Sequence, residues 1–398
     1  MKAVRTGMFG LLIQVSGGLA LAAQNFLAPL WYGREGFGLA VAILAVPYLL
    51  QGLAEPIVIS LLIRVRGRPD GLRFSARMVR DLACWALAGS TLTCIVVISR
   101  FSERLGSGAG LVAGLAAFNL MAMCSTTLLM GLAYAEHRFR DVSYTCVAAC
   151  VTLIGSQWML RFLGPLGIVL SLLLVQLVHL GVLRAGWRQL NGIASARTDT
   201  VGDLEDVIPQ YAAALAQRLG PVVLNAGSVV VASTQLNVGD LADFKIAIAM
   251  TFGSLYAIPI APFQLQAWLE SSRSGLGRHS GKLIWSASAL TAWAIALSVA
   301  MWLLVEPVQQ RLLGSHSGRS FRELAFAVPL LVWINLLGSM LMAYGRDRAL
   351  VIGAGLGFCG SMIFAVRSEL VEAVLVGGAL ILSVGLCSLA IKRAAIES

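Results

Sequence analysis

A few polar side chains lie inside the long apolar stretches of this sequence, and these are the residues that could carry chemistry. A polar group in hydrocarbon is costly unless it meets a partner or faces a water-filled cavity. Gln14, Gly18, Leu21 and Asn25 recur at spacings of three and four, so they share one face of a helix. Such a face is suited to the wall of a substrate cavity. Small and amide side chains are also suited to packing against a second helix.

Arg218 is the one arginine that we place about two turns inside an apolar stretch, and it suggests anion binding. Gly220 and Pro221 follow it, and a proline at this place kinks or breaks a helix. A guanidinium holds a phosphate through two parallel hydrogen bonds. Asn225 follows on the same face, so we predict that both residues bind the substrate. The alternative is that Arg218 extends to the cytoplasmic headgroups.

Glu55 and Lys245 are the other charged candidates. Glu55 precedes Pro56 and lies about 13 Å along a helix from Arg64, which is too deep for a simple loop residue. A carboxylate at that depth needs a proton, a partner or water. Glu55 is therefore predicted to be an ion-coupling site, or else to pair with an arginine of segment 64–80. Lys245 is a further candidate for binding the substrate, although it could equally extend to the outer interface.

Composition places these residues in a membrane protein. Hydrophobic residues make up 58% of the 398 positions and charged residues only 13%, whereas soluble domains carry roughly 25% charge. The apolar stretches divide into twelve segments of the length that crosses a bilayer. We predict spans at 8–31, 39–63, 81–99, 108–134, 142–162, 165–185, 209–236, 241–263, 283–305, 324–344, 349–366 and 370–391.

Basic residues set the predicted orientation. The formal charge is +10, but the lysines and arginines lie in short clusters between spans, which argues against a nucleic-acid partner. About two-thirds of them fall on the side of the N-terminus, as expected for cytoplasmic loops. We therefore predict a multi-pass protein of the bacterial inner membrane with both termini in the cytoplasm. The first apolar stretch runs to Trp31, longer than a signal peptide requires, and is kept as a span.

Two pairs of segments recur in the sequence. Gly33–Pro56 aligns with Gly239–Pro262, and AYAEHR at Ala133–Arg138 aligns with AYGRDR at Ala343–Arg348. Both pairs occupy equivalent places in the predicted topology, which indicates a duplicated unit of six spans. Transporters are commonly built from such repeats, with the substrate path between the two halves.

The predicted fold is therefore an all-α integral membrane protein with about twelve transmembrane helices in two six-helix bundles. The bundles occupy residues 1–190 and 209–398, and a cytoplasmic linker, 191–208, joins them. A unit with an even number of spans keeps its orientation on duplication. The two bundles are thus expected to be related by an axis along the membrane normal.

The turn G-x-x-x-F-G at Gly33–Gly38, followed by an apolar span, a proline and a basic loop, resembles the polysaccharide flippases. These belong to a superfamily with the multidrug/toxin extrusion proteins and the lipid II flippases. Leu219–Glu270 resembles their seventh and eighth spans, except that Lys245 stands where a glycine is expected. The resemblance implies that the chain flips a polyprenyl-pyrophosphate-linked oligosaccharide across the membrane by alternating access. It implies membrane lipids and a polysaccharide polymerase complex as partners. Arg218 would hold the pyrophosphate and Asn225 the sugar.

Two other functions stay open at this point. A multidrug or cation antiporter of the same fold usually needs buried carboxylates, and Glu55 is nearly alone. A glycan polymerase or transferase would carry a large extracytoplasmic loop, whereas the longest such connection predicted here is 306–323. The sequence contains no GxSxG, HExxH or paired-carboxylate motif, and its seven cysteines form no CxxC pair. We therefore predict no enzyme, no cofactor, no catalytic residue and no metal site.

Overall fold

The computed structural model describes residues 2–65, 71–183, 222–253, 280–313, 321–343, 347–366 and 369–397. These residues form helices joined by short turns, and no strand occurs among them. A helix satisfies its own backbone hydrogen bonds, which is what a chain of this hydropathy requires inside lipid. Six helical segments of the described ranges are long and apolar enough to cross a membrane.

The described residues of the first half form six helices. They are α1 (Lys2–Ala22), α2 (Ala28–Val65), α3 (Gly71–Leu105), α4 (Ala109–Ala135), α5 (Phe139–Met159) and α6 (Pro165–Val182). A π-helical turn, Ala23–Leu27, continues α1 into α2. The helix then breaks at Gly33, whose φ of 72° is open to glycine and costly for other residues. The helix of the first predicted span, 8–31, therefore ends at Gly33. The helix of the second, 39–63, begins immediately after it.

The described residues of the second half form six further helices. They are α7 (Ser228–Gln235), α8 (Val238–Gly253), α9 (Ser280–Leu313), α10 (Ala327–Ala343), α11 (Asp347–Val366) and α12 (Leu370–Glu397). A π-helical turn, Val223–Gly227, precedes α7. Each of the twelve helices lies at one of the predicted spans. The linker 191–208 lies outside the described residues, so the predicted boundary between the bundles stays a prediction.

Several helices extend beyond the predicted span limits, because a helix does not stop where the apolar stretch stops. α3 has 35 residues and begins at Gly71, although the predicted span begins at 81. α9 has 34 residues and continues through Pro307 to Leu313, although the predicted span ends at 305. At 1.5 Å per residue both helices reach about 50 Å, well beyond the roughly 30 Å of a hydrocarbon core. Charged residues end a membrane span without ending a helix.

Within each half the helices approach closely at small residues. A β-carbon placed at Gly131 of α4 would lie 3.3 Å from the Cα atom of Ile59 in α2. In the second half, a β-carbon at Gly385 of α12 would lie 2.1 Å from a methyl carbon of Leu337 in α10. Large apolar side chains such as Leu111 and Val151 are exposed on the outside. This distribution is typical of helices that pack through small residues and present large ones to lipid.

Buried residues of both halves form two apolar clusters. One includes Phe37 of α2 and Phe244 of α8, and the other includes Leu132 of α4 and Leu337 of α10. Phe37 and Phe244 lie beside the turn at Gly33 and the turn between α7 and α8, at what we call the Gly33 end. The sequence predicts that it is extracytoplasmic.

Candidate functional site: the interface between the two halves

Among the described residues, the most extensive contact between the halves is made by α2 and α8, which are equivalent spans in the predicted repeat. A β-carbon placed at Gly38 would lie 2.0 Å from the carbonyl oxygen of Val238. A β-carbon placed at Gly239 would lie 3.1 Å from the guanidinium carbon of Arg34. The absence of side chains at these two glycines is therefore what lets α2 and α8 meet.

An arginine of the first half binds two aspartates of the second half at this contact. Nη2 of Arg34 donates a hydrogen bond of 3.1 Å to Oδ1 of Asp240, and a shorter one to Oδ2 of Asp243. Arg34 and Asp240 are 206 positions apart, which is also the separation of Gly33 and Gly239 in the aligned repeat. Equivalent positions of the two halves thus meet and carry opposite charges.

The aspartates are held in place by their own helix. Asn237 caps the start of α8, because its Oδ1 accepts a hydrogen bond of 2.8 Å from the backbone N–H of Asp240. Its Nδ2 donates a second bond of 2.7 Å to Oδ2 of Asp240. Carboxylates in the first turn of a helix are also favoured by the helix dipole. Asp240 is therefore positioned by its own helix, independently of Arg34.

The same contact is partly open to water. The side chain of Asp243 is 2% exposed, whereas those of Arg34 and Asp240 are 32% and 39% exposed. Gln309 of α9 donates a hydrogen bond of 2.8 Å to the backbone carbonyl of Asp243. The ring of Phe244 packs edge-on against Phe321, with 5.1 Å between the ring centroids. At the Gly33 end the interface thus combines apolar packing with a partly exposed charge pair.

A second arginine of the first half reaches α7. Nη2 of Arg100, near the end of α3, donates a hydrogen bond of 3.4 Å to the carbonyl oxygen of Ser233. Ser233 lies in the last turn of α7, where carbonyl groups have no partner within the helix. An arginine there is favoured by the negative end of the helix dipole.

Farther along the interface, the π-helical turn Ala23–Leu27 and α2 carry a row of polar side chains. Nε2 of Gln24 donates a hydrogen bond of 2.7 Å to the hydroxyl of Tyr48, and Nε2 of Gln51 donates one of 2.7 Å to Oε2 of Glu55. Tyr48, Gln51 and Glu55 are spaced three and four apart, so they lie on one side of α2. Gly52, within this row, contacts Val222 of the second half. The polar row therefore borders the interface.

The predicted cavity wall on α1 faces protein rather than lipid. Gln14 is buried and Asn25 is 1% exposed, whereas Leu11 and Val15 on the other side of α1 are exposed. Nδ2 of Asn25 donates to the carbonyl of Leu21, one turn earlier. Its Oδ1 is buried and has no partner among the described residues. A substrate-binding role for Gln14 and Asn25 stays a prediction.

The other predicted site residues have different outcomes. Glu55 is half-buried and bonded to Gln51, and it forms no ion pair with a described residue. Lys245 is half-buried between the fully buried Phe244 and Ile246, one turn from the aspartates. Asn225 is half-buried in the π-helical turn before α7.

Arg218 lies outside the described residues, so its predicted place on one helix face with Asn225 stays a prediction. The sequence analysis missed Arg34, Arg100, Asp240 and Asp243. For Arg34 and Asp240 the sequence contained a signal, because the repeat aligns these two positions with each other.

No family model matches the sequence, and no curated protein matches it. Solved structures do match. The outward-facing conformation of a multidrug resistance MATE family transporter of the MOP superfamily is similar, with a TM-score of 0.67 and 14% identity, over 99% of this chain and 96% of that one. The inward-facing conformation of a MATE family transporter matches with a TM-score of 0.57 and 14% identity, over 97% and 98%.

A MOP superfamily transporter from Pyrococcus furiosus, for which a reversed polarity of the binding pocket suggests a different function, has a TM-score of 0.59 and 12% identity, over 99% and 96%. These are structures of transporters, which agrees with the prediction that the chain is not an enzyme. The predicted class of helices in two bundles is confirmed. The flippase family stays a prediction, because two of the named structures are multidrug transporters and the third is named only as a MOP superfamily transporter. The chain has the fold of the MATE transporters of the MOP superfamily.

Proposed function

We propose that this chain is a membrane transporter that works by alternating access, with its substrate path between the two halves. The contact of α2 with α8 carries the proposal. Those helices are joined at the Gly33 end by hydrogen-bonded charges rather than by apolar side chains alone. Such charges would add little stability to an interface that never opens, because desolvating an ion pair offsets much of its attraction. A closure that must form and break is served by an interaction that water can replace.

We further propose an organic cation as the substrate, which favours the multidrug or cation antiporter over the glycan flippase. The polar row on α2 offers the carboxylate of Glu55 and the ring of Tyr48 on one side of the helix. A carboxylate and an aromatic face are the two groups that attract a cation at a desolvated site. Arg34 is bonded to aspartates at the other end of the contact, and no described arginine neutralises Glu55. The MATE structures are themselves named multidrug transporters.

A lipid-linked glycan is the second candidate. The buried amides of Gln14 and Asn25 suit sugar hydroxyls, and the predicted role of Arg218 suits a pyrophosphate. The Pyrococcus furiosus protein supports keeping this candidate, since within this fold the polarity of the pocket differs between proteins. In either case we expect the protein to lie in the bacterial inner membrane with both termini cytoplasmic.

Transport by the purified protein in liposomes separates these candidates. One assay follows a fluorescent lipophilic cation under an imposed proton or sodium gradient, and a parallel assay follows a labelled polyprenyl-pyrophosphate oligosaccharide. We expect movement of the cation, and we expect Glu55→Gln to abolish it. Glu103→Gln, which changes an exposed carboxylate of α3, is the matched control and should transport normally.

Each other result has a defined meaning. Movement of the glycan alone would replace the antiporter by the flippase. If Glu55→Gln still transported the cation, Glu55 would not be an ion-coupling residue. Movement of neither compound would contradict the proposal of transport for these two substrate classes.

A further inference from the structure

Arginines of the first half donate hydrogen bonds to the chain just before and just after the turn between α7 and α8. α7 ends at Gln235 and α8 begins at Val238, so two residues join them. Before the turn, Arg100 of α3 donates to the carbonyl of Ser233. After the turn, Arg34 of α2 donates to Asp240 and Asp243. Both donors belong to the first half, and all three acceptors belong to the second.

Asp240 remains stabilised when Arg34 leaves, and a reversible contact needs such an acceptor. It is capped by Asn237 and lies in the first turn of α8, near the positive end of the helix dipole. Arg34 is already about one-third exposed, so it gains water readily when it moves away. Only Asp243 must pass from a buried to a hydrated position. Separation therefore leaves no charged side chain of the first half buried without a partner.

We infer that the α7–α8 turn is a gate at the Gly33 end, and that Arg34 and Arg100 form a clamp of charge that holds it shut. This inference rests on the proposed function, because a gate requires a path behind it. The apolar contacts of Phe37 and Phe244 remain when the clamp is lost. The gate is then open for more of the time, while the fold persists.

A cysteine at Leu241 reports the gate, because this side chain lies between the two aspartates on α8 and is 1% exposed. The probe is a membrane-impermeant maleimide, applied to full-length protein in nanodiscs after replacement of the seven native cysteines. We expect Arg34→Ala and Asp243→Asn each to raise the labelling rate at Leu241→Cys about tenfold, as for a partly exposed charge-assisted pair. Arg100→Ala is expected to give a smaller increase, because its bond is longer and its side chain is exposed.

Two controls keep the test sharp. Glu35→Gln removes an exposed charge in the same turn as Arg34 and should leave the rate unchanged. Arg34→Asp should raise the rate, and adding Asp240→Arg should lower it again by restoring opposite charges across the contact. A second reporter, Ala116→Cys in the core of α4, is fully buried and must stay unlabelled, because its reaction would indicate general unfolding.

The outcomes separate the clamp from the proposed function. Unchanged labelling at Leu241→Cys in both Arg34→Ala and Asp243→Asn, with Ala116→Cys unlabelled, would overturn the clamp even if liposomes transported normally. If the charge swap did not lower the labelling rate, the contact would depend on packing rather than on charge. That result would also overturn the clamp. Faster labelling in a protein that moves neither substrate would support the clamp and contradict the proposed transport.

Discussion

Replacing Gly38 by alanine should force α2 and α8 apart. The new β-carbon would lie 2.0 Å from the carbonyl oxygen of Val238 and 2.9 Å from its carbonyl carbon. Close carbon–oxygen contacts in proteins are about 3.3 Å, so the helices must separate by roughly 1 Å. The obstructing atoms belong to the backbone of α8, and no change of side-chain rotamer removes them.

The magnitude follows from the cost of overpacking. Inserting one methyl group into a packed contact typically costs about 1–3 kcal/mol. Here this cost falls on the closed state alone, because the contact is absent once the halves separate. Since about 1.4 kcal/mol changes an equilibrium tenfold, we expect one to two powers of ten more open protein. The labelling rate of Leu241→Cys measures this change directly.

Gly36→Ala is the matched control for this prediction. It makes the same substitution in the same turn, and its β-carbon would meet nothing closer than Cβ of Tyr32 at 3.7 Å. Both changes also raise helix propensity by a similar amount, so the difference between them isolates the contact with Val238. Equal labelling rates for the two variants would refute the reasoning that this contact closes the interface.

Three further predictions address packing, orientation and the anion site. Gly131→Ala should lower the free energy of unfolding by about 1–3 kcal/mol, because its β-carbon would lie 3.3 Å from a backbone atom of α2. Gly114→Ala meets open space and should be neutral, as thermal unfolding of both variants will check. A reporter active only outside the cytoplasm should be active when fused at Ser107 and inactive at Gly277, and the opposite pattern would reverse the predicted topology. Arg218→Ala should abolish glycan export without loss of membrane-inserted protein if the glycan candidate is right, whereas Arg218→Lys should restore export in full if the side chain only extends to headgroups.

Most of the fold could be predicted because a membrane restricts it so strongly. A span needs an apolar stretch of sufficient length, and this can be read from composition alone. The breaks inside those stretches could not be predicted in the same way. The π-helical turn Ala23–Leu27 consists of residues that would also suit a regular helix. Its presence depends on how α1 packs against its neighbours rather than on hydropathy.

The candidate site was predicted only in part, and for a physical reason. The search for polar groups inside spans found Gln14, Asn25 and Glu55, which the structure places in buried or half-buried positions. It passed over Arg34 and Asp240 because charged residues in turns are usually assigned to water. A pair 206 positions apart gives no local signal in either segment. Its significance appears once the two halves are placed against each other.

The repeat itself explains why these two positions carry opposite charges. When two similar halves are related by an axis, residues near the axis meet their own equivalents. Identical residues would then place arginine against arginine, and two like charges about 4 Å apart repel by about 4 kcal/mol at an effective dielectric constant of about 20. The halves carry Arg34 and Asp240 instead, so the same position attracts. Asp243, one turn farther along α8, binds the same guanidinium and strengthens the attraction. An arginine and an aspartate at one aligned position thus give an attractive contact between the halves.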